Sequence, residues 1–305
     1  MKLSIVTINY NNAEGLRKTL ASVASQTYRD IEHIIVDAAS TDGSVDVIKE
    51  YATSLASLHH SIIWVSEPDK GIYNAMNKGI EIALGKRVVN ALNRSEQGED
   101  KNKELCDYCQ FLNSGDCLAA SDVTERMVHA LNSFLMGGDG AGTPDILYGN
   151  MKKVMPNGTF VRDACGGTND VTLNMFYRGC LNHSPAYIKR SLFDEYGLYD
   201  ETLKICSDWK FYMQSIVLGK AKVKYVPIDV TIFDMTGISE TRKDILNEER
   251  KRLLHEMVPD GILKDYDRYH FPMEQYERLK RHHLWGAVWF IERILFKLEK
   301  WGILR

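Results

Sequence analysis

The sequence predicts an α/β fold: a mostly parallel sheet flanked by helices, with a helical C-terminal appendage. Three observations carry this. Short β-rich runs alternate with helical periodicity three times between Leu3 and Ala83. Each of those runs ends in a polar turn, and a fourth run, Cys109–Leu112, ends in Asn113-Ser114-Gly115-Asp116. From Ser239 onward the chain is mainly charged and helical, and it closes on a segment rich in Trp, Phe, Ile and Leu.

Taken in order, Leu3–Ile8 is the first strand, Asn9–Asn12 a polar turn, and Leu16, Leu20 and Val23 recur at helical spacing. Ile31–Val36 is the second strand, ended by Asp37, and Ser40–Gly43 caps a helix carrying Val45 and Ile48. Ile62–Val65 is the third, followed by a helix marked by Ile72, Met76, Ile80 and Ala83. This rhythm requires parallel strands with crossover helices. Residues 86–108 interrupt it with a polar stretch that reads as an inert surface insertion. A helix is expected over 122–136, a glycine-rich loop over 137–142, a strand at Ile146–Tyr148, and a hairpin from Met151 to Val161 turning at Pro156-Asn157-Gly158. Further strands are expected at Ser184–Ile188, Lys222–Val226 and Val230–Phe233, with helices at Ser191–Tyr196 and Ser207–Leu218. The expected boundary divides residues 1–238, the sheet domain, from 239–305, the helical extension.

Composition narrows the function. Hydrophobic residues at 44% and charged residues at 26% are ordinary for a water-soluble globular chain. A net charge of −3 gives no electrostatic footprint for nucleic acid, so no nucleic-acid partner is expected. No secretory signal stands ahead of Leu3, and the 6 cysteines are expected to be reduced thiols of a cytoplasmic protein. Cys106 and Cys109 have CxxC spacing but no second CxxC accompanies them, so idle thiols are favoured over zinc or redox chemistry. No apolar run is long enough for a bilayer span.

The strand ends converge on one chemistry. In an open α/β sheet, ligands bind beyond the carboxyl ends of the strands. Thr7, Asn9, Asp37, the segment Ser66–Gly79 and Asp116 all fall on that edge. Asp37 could accept hydrogen bonds from a base or a ribose, and Asp116 could hold a divalent cation that in turn holds a diphosphate. A glycine fingerprint after the first strand is missing, which argues against a dinucleotide-binding domain.

In these blocks the sequence resembles the family 2 inverting glycosyltransferases of GT-A fold: Ser4–Thr7, Val36–Gly43, Glu67–Tyr73, Phe111–Asp116 and Ser207-Asp208-Trp209. The resemblance runs from Lys2 to about Ser239. It implies a GT-A, Rossmann-like sheet. It implies that Thr7, Asn9, Asp37, Asp69, Lys70 and Gly71, with Asn113, Ser114 and Gly115, hold the nucleotide of a UDP-sugar donor. It implies that Asp116 is the last residue of the family's Asp-x-Asp metal motif, binding Mn²⁺ or Mg²⁺, and that Asp208 is the general base. The sequence departs from the motif at Ser114, where the family has its first acidic residue. His183 is a candidate for the metal shell or the acceptor pocket, and a structural histidine fits its context equally. Asp234 and Gly237-Ile238-Ser239 resemble a family loop near the diphosphate.

The expected activity is therefore metal-assisted, inverting transfer of a sugar from a UDP-sugar to a glycan or lipid-linked acceptor. A nucleotidyltransferase would also use carboxylates and Mg²⁺, but Asn9–Gly15 contains only Gly15 where a glycine-rich loop would be expected. A catalytically inactive nucleotide-sugar or membrane-binding module is the other alternative; the presence of both Asp116 and Asp208 argues against it. Residues 283–305 combine a wide apolar surface with Arg293, Lys297 and Lys300 at helical spacing. This suits either a helix lying in the headgroup layer on the inner face of the plasma membrane or a helix docked on the sheet domain or on a second subunit. A lipid-linked acceptor favours the former.

Overall fold

The structure is a computed structural model and describes residues 1–54, 61–89, 105–136, 142–155, 157–235 and 237–301. It divides into two compact units, Met1–Glu249 and Arg250–Arg305. The first unit thus extends beyond the expected boundary at 238.

In chain order the first unit runs β1 (Leu3–Asn9), α1 (Ala13–Ala24), β2 (Ile31–Asp37), α2 (Ser44–Ser54), β3 (Ser61–Ser66), α3 (Ile72–Ala83), β4 (Tyr108–Phe111), β5 (Cys117–Leu118), α4 (Val123–Met136), β6 (Ile146–Val154) and β7 (Phe160–Asp163). It continues through α5 (Leu173–Arg178), β8 (Ala186–Lys189), α6 (Ser191–Tyr196), α7 (Ser207–Tyr212), β9 (Val223–Phe233), α8 (Ile238–Thr241) and the start of α9 (Lys243–Met257). The strands of the described residues form one sheet in the order β3-β2-β1-β4-β8-β6-β9-β5, with β7 paired to β6.

The β3-β2-β1-β4 half is parallel throughout. Every residue of β1 and β2 is buried, as expected for strands covered on both faces. Leu3, Ile5 and Ile31 pack with Val23 of α1 and with Val123, Met127 and Leu131 of α4. Ile35 and Ile62 pack with Leu16 and Leu20 of α1 and Val47, Ile48 and Tyr51 of α2. Val6 points to the opposite face, as strand alternation requires. There α3 comes so close that a Cβ on Gly79 would lie 2.4 Å from a Val6 methyl.

Beyond β4 the sheet becomes mixed. β8 is antiparallel to β4 and to β6, β9 is parallel to β6, and β5 and β7 are antiparallel to β9 and β6. Three expected elements differ in extent. The strand at Ile146 continues to Val154 before the hairpin turns, so β6 joins what reads as two pieces. The two strands expected at 222–226 and 230–233 are one strand, β9, because a register shift opposite Tyr148–Met151 lets pairing with β6 pass Pro227. The helix expected over 207–218 is α7 followed by a π-helical turn, Met213–Val217. Of the insertion expected at 86–108, residues 90–104 lie outside the described residues, as do most of the loop at 137–142 and Pro156.

The second unit contains α10 (Asp260–Arg281) and α11 (Trp285–Lys300). A turn with His283 at φ +56° joins them, and Tyr276 meets the edge of Trp285 with ring centroids 4.3 Å apart. On α11, Trp289, Phe290, Ile291, Ile294, Leu295 and Phe296 are all exposed. Among the described residues, no helix is long and apolar enough to cross a membrane.

Candidate active site

The carboxyl ends of β1, β2, β3 and β4 lie along one edge, and a cavity of about 420 Å³ opens there. Asn9 and Tyr10 from the end of β1, Gly71 and Ile72 from the start of α3, Asn113, Ser114 and Asp116 from the turn after β4, and Asp234 and Gly237–Ser239 from the segment after β9 all line it.

The turn Asn113–Asp116 is held from two sides. Its Ser114 N–H donates to the Ile8 carbonyl (3.0 Å), and the buried Thr19 hydroxyl of α1 donates to the Asp116 carbonyl (2.7 Å) and accepts the Gly115 N–H (3.0 Å). Asn12 caps α1 by accepting the Gly15 N–H and reaches across to donate to the Ser114 carbonyl (3.1 Å). Gly115 sits at φ +107°, which only glycine adopts without strain, and a Cβ there would also meet the Asp234 carboxylate at 3.2 Å. The polar turn read from the sequence is thus a braced platform for one carboxylate.

That carboxylate, Asp116, is 3% exposed and accepts the Asp234 backbone N–H at 2.9 Å. Burial, reinforced by the neighbouring Asp234 carboxylate and opposed by that N–H, pushes Asp116 up to about 7. Two side-chain oxygens nearby, Asn9 Oδ1 and Asn113 Oδ1, are buried without a hydrogen-bond partner. Among the described residues, no three His, Cys, Asp or Glu side chains are grouped to hold a metal; the Asp234 carboxylate is near enough to Asp116 to raise its proton affinity. An all-oxygen set of this kind fits a hard divalent cation that takes its remaining ligands from phosphate and water.

The other expected donor residues divide into three groups. Asn9, Asp69, Gly71, Asn113 and Ser114 line the cavity. Asp69 accepts the Gly71 N–H (2.9 Å), and Lys78 holds the same loop by donating to the Pro68 carbonyl and pairing with Glu67 (both 2.8 Å). Lys70 is exposed and outside the lining. Thr7 and Asp37 are fully buried behind it. The Thr7 hydroxyl is 2.9 Å from His33 Nε2, whose Nδ1 meets the Tyr51 hydroxyl at 2.8 Å. Asp37 accepts from Asn9 Nδ2 (2.8 Å), the Ser40 hydroxyl and N–H (2.6 and 3.0 Å) and the Ser66 hydroxyl (2.7 Å), so it ties the ends of β1, β2 and β3 together.

Asp208 is half-buried in the first turn of α7 and accepts its neighbour Trp209's N–H at 2.8 Å. The same oxygen, Oδ1, also accepts the Tyr73 hydroxyl at 3.1 Å. The structure does not put His183 in the lining of the Asp116 cavity. Its ring stacks on Phe111 at 4.8 Å, its Nε2 is 2.7 Å from the Tyr199 hydroxyl, and burial pushes it down while Asp208 pulls it up. Tyr10, Asn12 and Tyr73 carry no expected role from the sequence. Asn12 reads there as a turn residue and Tyr73 only as the last residue of the Glu67–Tyr73 block; the Asn12 capping signal before Ala13 was the available clue.

Residues 4–91 match the family model described as glycosyl transferase family 2. The chain is 29% identical over 246 residues to the uncharacterized glycosyltransferase Rv1514c of Mycobacterium tuberculosis, covering 79% of this chain and 78% of that one. It is 27% identical over 252 residues to the PGL/p-HBAD biosynthesis glycosyltransferase Rv2957 of the same organism, covering 82% and 83%. In fold it is similar to S. aureus TarS 1–349 in complex with UDP, with TM-score 0.57, 17% identity, and coverage of 89% of this chain and 72% of that one. A second crystal structure of that TarS fragment matches with TM-score 0.54 and 18% identity, and there the chain spans 63% of the fragment's length. Residues 4–91 thus carry the match to glycosyl transferase family 2, and over about four-fifths of its length the chain is similar to glycosyltransferases.

Proposed function

We propose that this glycosyltransferase transfers a sugar from a UDP-sugar with inversion, to a glycan or lipid-linked acceptor of the cell envelope. The observation that carries the reading is the buried Asp116 carboxylate, bonded to the Asp234 backbone N–H and lining, with Asp234, a cavity at the carboxyl edge of the sheet. Asp116, with Asp234 as the second carboxylate that Ser114 cannot supply, would hold Mn²⁺ or Mg²⁺. A divalent cation there stabilises the negative charge that develops on the departing diphosphate. The UDP bound to the structurally similar TarS fragment supports a uridine nucleotide, and the PGL/p-HBAD biosynthesis role of Rv2957 supports an envelope acceptor.

The protein's own groups have distinct tasks in this reading. Asn9, Asp69, Gly71, Asn113, Ser114 and Gly115 seat the nucleotide. The Asp208 carboxylate takes the proton of the acceptor hydroxyl as that oxygen bonds to the anomeric carbon. The bond from the anomeric carbon to the β-phosphate oxygen breaks on the opposite side, and its electron pair leaves with UDP. A single positioned carboxylate suffices for inversion. The exposed apolar face of α11, with Arg293, Lys297 and Lys300 beside it, would rest on anionic lipid at the inner face of the plasma membrane.

The test is a panel of UDP-, GDP- and dTDP-sugars with Mn²⁺, scored for nucleotide release and for protection against thermal unfolding. Release and protection by a UDP-sugar, abolished by a chelator, are expected. Turnover of a GDP- or dTDP-sugar alone would replace the donor assignment.

A further inference from the structure

We infer that Tyr73 is a positioning residue that aligns the general base, and that it does so from the helix whose first turn lines the donor cavity. The inference rests on Asp208 being the base. Tyr73 stands on α3 directly after Gly71 and Ile72, both of which line the cavity. Its ring is buried, and its hydroxyl reaches two acceptors at once: the Ile205 carbonyl and, at 3.1 Å, Asp208 Oδ1.

The same short segment is gripped from the other side. Glu249 of α9, 8% exposed, accepts the backbone N–H groups of Lys204 (2.7 Å), Ile205 (3.0 Å) and Cys206 (3.0 Å). Ile205 is therefore bonded through its N–H to Glu249 and through its carbonyl to Tyr73. The chain between Lys204 and Asp208 has little freedom left, and the orientation of the Asp208 carboxylate follows from this clamp.

One hydroxyl has one proton, and here it has two acceptors. While Asp208 is ionised, Tyr73 can donate to Oδ1. Once Asp208 has taken the acceptor's proton, the carboxylic acid can donate to the Tyr73 oxygen while Tyr73 donates to the Ile205 carbonyl. A phenol with this choice serves both protonation states without moving a heavy atom. The other titratable groups around Asp208 are His183, Tyr199 and Tyr212, each of which feels its charge. Among the described residues Tyr73 is the one whose hydroxyl is bonded to it.

The experiment is a two-by-two set of full-length proteins: wild type, Y73F, D208N and the double variant. Each is assayed for nucleotide release from the most active sugar nucleotide of the panel above, with thermal melts and donor titration as controls. Y73F should lower kcat by about tenfold or more while leaving donor KM within about threefold, because only transition-state alignment is lost. In the D208N background Y73F should have no further effect, since the group it aligns is gone. An inactive D208N beside a Y73F of wild-type kcat would overturn the inference and leave the base reading standing. The same loss in both backgrounds would also overturn it, because that is the pattern of a general packing defect. Near-normal turnover by D208N would remove the base reading and this inference with it. If Y73F proves too unstable to assay, 3-fluorotyrosine at position 73 retains ring and hydroxyl but makes the hydroxyl more acidic; kcat should then change at constant KM, and an unchanged kcat would count against the proposal.

Discussion

Asp116 accepts the backbone N–H of Asp234 at 2.9 Å, so the turn after β4 and the segment after β9 meet at one buried carboxylate. The contact dictates how Asp116 should be tested. An alanine would leave that N–H unpaired in a buried place, whereas Asp116→Asn keeps an acceptor for it. In D116N, Mn²⁺ should no longer strengthen UDP binding, and the melt of the metal-free protein should stay cooperative. Calorimetric titration of UDP with and without Mn²⁺ measures this; a full Mn²⁺ effect in D116N would move the metal elsewhere.

Asp234→Asn should weaken Mn²⁺ binding by less, about tenfold, since one carboxylate of the pair remains. Electron paramagnetic resonance of free Mn²⁺ reads the affinity without any need for turnover. An unchanged affinity would exclude Asp234 from the metal's shell.

The raised proton affinity of Asp116 also has a stability consequence. An acid pushed from 3.8 to about 7 by folding binds its proton more tightly folded than unfolded. Its favourable contribution is complete below about pH 4 and is lost as pH rises to about 7, on the order of a few kcal/mol. Metal-free D116N should therefore melt higher than metal-free wild type at pH 8, and the difference should close towards pH 4. Mn²⁺ should reverse the order at pH 8 by stabilising wild type alone. Identical melts of the two metal-free proteins at pH 8 would show that Asp116 is solvated rather than buried.

The parallel half of the fold was legible because its signals are local. Apolar runs end at Asn9, Asp37 and Ser66, and the Ser40–Gly43 turn, which contains Asp42, marks the next helix. Asp42 accepts the Ala13 N–H (2.8 Å) as well as the Ser44 N–H and hydroxyl, so one residue caps two helices. The mixed half was less legible. That 222–233 is one strand depends on a bulged pairing with β6, which no local pattern announces. The same holds in the site. Asp116 meets Asp234 across 118 residues, and Tyr73 meets Asp208 across 135. Neither pairing leaves a trace in residue spacing, and Tyr73 lies beside the apolar stripe of Ile72, Met76 and Ile80 with no signal of its own. Burial of Thr7 and Asp37 was likewise hidden, because Ser40, Ser66 and His33 come to them from separate strands and turns.

Glu249 carries a prediction of its own. Its carboxylate satisfies three backbone N–H groups at once, and Glu249→Ala would leave them with no partner at a buried position. The cost should be on the order of 1–3 kcal/mol or somewhat more, against about half that for Glu249→Gln, which keeps one acceptor oxygen. Denaturant unfolding gives the values. Hydrogen exchange should show faster exchange at Ile205 and Cys206 in E249A, and unchanged protection there would mean that other contacts hold the segment.

The last prediction concerns α11. Trp289, Phe290, Ile294 and Phe296 are each more than two-fifths exposed, and Arg293 lies over the Trp289 ring at 4.5 Å. Arg293, Lys297 and Lys300 recur on one side of the helix, so a layer of anionic headgroups could pair with them while the aromatic face enters the acyl boundary. Each basic residue near such a surface contributes about 1 kcal/mol. Full-length protein should therefore sediment with vesicles of mixed phosphatidylcholine and phosphatidylglycerol, less so as salt is raised, and hardly at all with phosphatidylcholine alone. The triple charge reversal R293E/K297E/K300E should abolish sedimentation while leaving the melt and UDP binding as they were, because these side chains lie at the surface and the donor cavity is built from residues of the first unit. A protein that ignores anionic vesicles but sediments as a dimer in the ultracentrifuge, and falls to monomer when Trp289 and Phe296 become Ser, would assign the same apolar face to a second copy of the chain.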